Sequence, residues 1–78
     1  MKIEWDQIID RHCFGECPLA KFWIRFDRED EVIGLYVMWP DRKEKYVPQT
    51  KSQTLIGGIK RLAQEILDNK IKAQSLIQ

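Results

Sequence analysis

Polar and apolar residues alternate between Leu19 and Asp27, with Phe22, Ile24 and Phe26 on one side and Lys21, Trp23, Arg25 and Asp27 on the other. A period of two sends successive side chains to opposite faces, so this segment reads as a half-buried β-strand. After the charged stretch Arg28-Glu29-Asp30-Glu31, the alternation resumes, with Ile33, Leu35, Val37 and Trp39 set against Val32, Gly34, Tyr36 and Met38. The two segments predict a β-hairpin. Pro40-Asp41-Arg42 is a second turn signal, and Lys43 to Val47 can form a short third strand closed by Pro48, which suits a sheet edge.

Two other stretches follow a helical period. Trp5, Ile8, Ile9 and then His12 or Cys13 recur at steps of three and four, which predicts a first helix over residues 3–13. Gly15 and Cys17-Pro18 stop it, since glycine suits the C-terminal turn and proline cannot continue a helix. Further on, Thr50-Lys51-Ser52-Gln53 fits a capping box and starts a second helix. There Leu55, Ile59, Leu62 and Ile66, flanked by Ile56, Ala63 and Leu67, form one apolar stripe opposite Lys60, Arg61 and Gln64. The stripe decays at Asp68-Asn69-Lys70, so residues 69–78 are expected to fray or to contact a partner. Gly57-Gly58 is unfavourable in a helix. Close packing of the backbone against Phe22 or Trp39, a bend, or a docking spot would each explain it, and close packing is the preferred account.

These elements predict an α+β fold: a two- or three-stranded antiparallel sheet with N- and C-terminal helices on one face. At 78 residues the chain is expected to hold one core and one domain, residues 1–78. Both helices should cover the side carrying Phe22, Ile24, Phe26, Ile33, Leu35 and Val37. The other side stays open, and it would carry Lys21, Trp23, Arg25, Val32, Tyr36 and Met38. Contiguous exposed aromatic and apolar area marks interaction sites, and Trp, Tyr and Arg dominate interface energetics. This surface is therefore the candidate site for another protein. A chain this small gains stability by burying such a patch, so a homodimer is expected as well.

Nucleic acid is the alternative partner, through the basic second half: Arg42, Lys43, Lys45, Lys51, Lys60 and Arg61. Residues 1–41 hold nine acids and five bases, and residues 42–78 hold eight bases and three acids. The net charge of +1 gives only weak general attraction for a polyphosphate. The predicted order of elements is similar to that of the double-stranded-RNA-binding domain, a resemblance that implies lysines on the second helix facing phosphates. In that family the first hairpin turn enters a minor groove, whereas here the turn reads Asp27-Arg28-Glu29-Asp30-Glu31 and would repel phosphate. Of the family's lysine cluster at the start of the second helix, only Lys51 is present.

His12, Cys13 and Cys17 put three potential zinc ligands at the end of the first helix, one short of the usual four unless Asp10, Glu16 or another subunit completes the set. A zinc-stabilised fold is thus a second alternative, and free thiols are the default in a reducing compartment. Three residues separate the cysteines, not the two of a thioredoxin-type motif. One histidine, no phosphate-binding glycine loop and no recognisable nucleophile context predict a non-catalytic protein with no cofactor. No stretch has the length and apolarity of a membrane span, and the acidic groups near Met1 do not suit a signal peptide, so a cytoplasmic location is expected.

Overall fold

A computed structural model describes the backbone of residues 1–77 and the side chains of residues 1–75. Five antiparallel strands follow one another in space as in sequence: β1 (Glu4–Trp5), β2 (His12–Cys17), β3 (Ala20–Phe26), β4 (Val32–Met38) and β5 (Lys43–Tyr46). A 3-10 turn, Ser52–Thr54, leads into one helix, α1 (Ile56–Ile77). The α+β class and the β3–β4 hairpin are as the alternation predicts. The expected N-terminal helix is absent, its place being taken by β1, a turn and β2.

The correction has a local cause. Ile8 and Ile9, half of the supposed helical stripe, are exposed, while Ile3 is buried. Ile9 and His12 exchange both backbone hydrogen bonds, at 2.8 and 2.9 Å, across a two-residue turn. Its central residues, Asp10 and Arg11, have φ of 48° and 65°. Such a turn normally uses Asn-Gly or Asp-Gly, so Asp-Arg gives no turn signal. Gly15, expected to end a helix, lies inside β2 because the Trp5 indole packs on it, and a Cβ there would fall 2.5 Å from Trp5 Cε3.

One cluster of buried residues joins the inner sheet face to α1. Phe22, Ile24, Leu35 and Val37 meet Ile59, Ala63 and Leu67, with Ile3, Cys13, Ala20, Phe26, Val32 and Trp39 around them. Gln64 ties the helix to the chain start, accepting from the Ile3 amide at 3.4 Å and donating to the Met1 carbonyl at 2.7 Å. At the opposite edge, Glu44 accepts from Trp39 Nε1 at 2.6 Å, from the Tyr46 hydroxyl at 3.1 Å and from Arg42 Nε at 3.1 Å. The Trp39 donor, then Tyr46 and Arg42, hold the Glu44 carboxyl below the usual carboxylate range.

The register of β3 and β4 shifts between Arg25 and Phe26, where Arg25 pairs with Gly34 but Phe26 with Val32. Ile33 is therefore an extra residue of a β-bulge, and a bulge reverses the alternation beyond it. Val32 turns into the core and Ile33 outward, the reverse of the expectation for both. The second helix also starts later than Thr50. Gln53 still receives the Gln49 amide at 2.8 Å, and its own backbone amide donates to Thr50 Oγ1 at 3.3 Å, but these bonds lie at the start of the 3-10 turn and not of the helix. Residues 69–77 continue α1 without interruption, and Gln78 lies outside the described residues.

The two helical glycines have different surroundings. A Cβ on Gly58 would collide with the Ser52 backbone, whereas one on Gly57 meets nothing within 4 Å. Close packing thus explains Gly58, with the 3-10 turn as the neighbour in place of Phe22 or Trp39. Gly57→Ala is expected to stabilise the fold by up to about 1 kcal/mol, and Gly58→Ala to destabilise it by at least about 1 kcal/mol. Urea unfolding of the two variants checks both signs.

Candidate functional site

With α1 on one side, the cross-strand pairs set what stands on the other. One row reads Glu4, Glu16, Lys21, Met38 and Lys43 from β1 to β5. The next reads Phe14, Trp23, Tyr36 and Lys45, and the Asp6 amide bonds to the Phe14 carbonyl at its near end. A third aligns His12, Arg25 and Gly34. The pleat makes each row a line of neighbouring side chains on one face.

The second row is an aromatic ladder. Phe14 and Trp23 have ring centroids 6.0 Å apart at 8°, and Trp23 and Tyr36 4.8 Å apart at 27°. At 4.8 Å the faces of Trp23 and Tyr36 overlap in part, an offset stack that adds about 0.5–1.5 kcal/mol beyond area burial. Cations stand against the rings, Arg25 Cζ 5.5 Å from the Trp23 centroid and Lys45 Nζ 5.5 Å from that of Tyr36. Trp23 Nε1 donates to His12 Nδ1 at 3.0 Å, which leaves Nε2 to carry the proton of the neutral imidazole. Phe14, at 49% exposed, remains largely in solvent. Beside the ladder a shallow hollow of about 330 Å³ is lined by Asp6, Phe14, Glu16, Lys21 and Met38 and floored by Gly15 and Phe22.

Of the residues expected on this face, Lys21, Trp23, Arg25, Tyr36 and Met38 are brought together, and Val32 is removed to the core by the bulge. Phe14 and His12 join them. His12 was hidden by the helical reading of residues 3–13 and Phe14 by the turn expected after it, although the alternation of His12, Phe14 and Glu16 with Cys13, Gly15 and Cys17 was available as a signal. The six basic residues of the second half do not share a surface. Lys43 and Lys45 reach the open face, but Arg42 pairs with Glu44, Lys60 Nζ lies 5.5 Å from the Trp5 ring centroid, and Lys51 and Arg61 stand on the 3-10 turn side and the helix.

The zinc candidates are separated as well. His12 points to the open face, while Cys13 and Cys17 share the inner phase of β2. Four strand residues span about 13 Å, too far for one ion or for a disulfide. Among the described residues no cluster of His, Cys, Asp and Glu could hold a metal. Burial pushes the Cys13 thiol up, offset in part by Lys60 and assisted by Asp6, and its Sγ donates to the Asp6 carbonyl at 3.5 Å.

The two tyrosines report on the two faces. The Arg25 guanidinium, donating toward the Tyr36 hydroxyl, holds that phenol below its ordinary value, and Lys45 adds to the effect. Burial and the hydrogen bond to Glu44 raise Tyr46. Ultraviolet titration is expected to show two phenolate steps, one on each side of about 10, and Arg25→Gln to move the lower step upward. Thiol labelling of the native protein is expected to modify Cys17 and spare Cys13 until denaturant is added. Comparison with known proteins finds no matching family model, no matching curated protein and no matching solved structure.

Proposed function

We propose that this chain is a small non-catalytic regulatory or adaptor module that docks another protein on the open face of its sheet. The observation that carries the reading is the Phe14–Trp23–Tyr36 ladder, three aromatic side chains from adjacent strands on a face opposite the helix. Aromatic and arginine side chains supply most of the energy of protein interfaces, and a row locked by mutual stacking loses little freedom on binding. Lys21, Arg25, Lys43 and Lys45 surround the ladder on β3 and β5, so the partner that fits offers apolar surface together with acidic groups.

Nucleic acid on the same face is the second reading, favoured by those four cations. The stacking geometry counts against it. Bases bind by lying on free ring faces, and the faces of Trp23 and Tyr36 are turned in part toward each other. Steep loss of an RNA or DNA shift with added salt would support this reading, and no shift at low salt would remove it.

A photo-cross-linking residue in place of Phe14 tests the main reading in cells, with the same residue at Arg61 on the helix as control. Protein adducts specific to position 14 are expected. Trp23→Ala with Tyr36→Ala should weaken partner binding by at least about 2 kcal/mol while the fold is retained. Adducts no different from those at Arg61 would end the proposal. Light scattering on the purified chain shows whether the partner is a second copy, since a homodimer through this face would dissociate in the double variant.

A further inference from the structure

Two of the open-face cations converge on one point. Arg25 stands directly across from Gly34, at a spacing where cross-strand Cβ positions lie about 5 Å apart. Lys45 approaches from the opposite strand, its Cε 3.6 Å from where a Cβ on Gly34 would sit. Tyr36 Cε2 lies 3.6 Å from the same position. Gly34 is itself buried, so the Lys45 stem and the Tyr36 ring lie over its backbone, with Arg25 beside it on β3.

Gly34 adjoins the bulge at Ile33. Its φ is outside the left-handed region, and an added Cβ would make only ordinary contacts. Glycine inside a strand weakens the strand and often marks a bulge, as here, or close approach of a ligand or another backbone. Among the described residues, the one ion pair within 4.0 Å is Arg42–Glu44, so neither Arg25 nor Lys45 has a carboxylate at that range. Asp27, two residues from Arg25, accepts the Glu29 and Glu31 amides at 2.9 and 3.0 Å, while Asp10 lines a hollow of about 160 Å³ together with Arg25 and His12. Of the acids on the open-face rows, Glu4 stands on β1, Glu16 on β2 and Asp6 just past β1. Like charges held near each other without a counter-ion are destabilising, and an anion between them reverses that sign.

We propose that Arg25, Lys45 and the Tyr36 hydroxyl form a receptor for one oxyanion, a carboxylate or a phosphate monoester, presented by the protein that docks on the aromatic face. The assignment rests on the docking reading and names the chemistry of the partner. The arginine fork binds two oxygens side by side, the lysine supplies a point charge, and the phenol donates a third hydrogen bond. The ladder holds the arginine in place, since its guanidinium already lies against Trp23.

NMR titration of the full isotope-labelled chain at constant ionic strength tests the receptor without any partner, using inorganic phosphate, acetate and dimethyl phosphate as probes. Saturable shifts at the Gly34 amide and Arg25 Nε are expected with phosphate, with acetate, or with both. Phosphate alone assigns a phosphorylated partner, and acetate alone an acidic one. Arg25→Gln and Lys45→Gln should each weaken binding at least about tenfold, and Lys60→Gln on the other side of the sheet should not change it. Gly34→Ala, which the backbone accepts, should keep the fold and weaken binding at least about threefold. No saturation by phosphate or acetate, or saturation indifferent to Arg25 and Lys45, overturns the receptor. Preferential binding of dimethyl phosphate overturns it in favour of a nucleic-acid backbone. A ladder-dependent cross-link without anion binding would leave the docking reading standing alone, and anion binding without such a cross-link would remove the docking reading.

Discussion

Everything in this structure depends on one helix burying one face of a five-stranded sheet. Five strands are about 19 Å across, and a helix with its side chains is about 10 Å wide. Ile59, Ala63 and Leu67 therefore cover only the middle strands, over Phe22, Ile24, Leu35 and Val37. The flanks are closed by two large indoles, Trp5 on β1 and Trp39 just past β4. Each has a helix lysine near its ring, Lys60 Nζ at 5.5 Å and Lys70 Nζ at 5.4 Å. The lysine stems lie along apolar surface while their charges stay in water, which widens the cover that one helix gives.

The same constraint fixes the other face. With no second helix among the described residues, the outward side chains of β2, β3 and β4 pack on one another, and they form a stack from Phe14 through Trp23 to Tyr36. Stacking and cation–π contacts stiffen the sheet where no core supports it. They also leave a rigid apolar row with charges at its margins. Gly34 lies on that face beside the bulge at Ile33, between Arg25 on β3 and Lys45 on β5.

The strand alternation around Phe22 and Leu35 was legible because each inward residue is large and apolar and each outward one mostly polar or aromatic. Two features escaped it. The bulge at Ile33 exchanges the faces of Val32 and Ile33, and two adjacent β-branched apolar residues look equally fit for either side. The N-terminal hairpin was concealed by Trp5, Ile8 and Ile9, whose spacing matches a helix, and by an Asp10-Arg11 turn that lacks the glycine such turns favour. Cys13, Gly15 and Cys17 do alternate with His12, Phe14 and Glu16. A glycine at an inward position nevertheless carries no hydrophobic signal, and its reason, the Trp5 indole lying on it, is a long-range contact.

The sequence by itself determined the α+β class, the β3–β4 hairpin, the amphipathic stripe of α1 and the aromatic character of one sheet face, because each follows from the period of a single segment. The tertiary structure alone decided the strand count, the phase beyond the bulge, the entry of Phe14 and His12 into the ladder, and the placing of Arg25 and Lys45 on either side of Gly34. These depend on which strand lies beside which and in what register, and register is set by contacts between residues far apart in the chain.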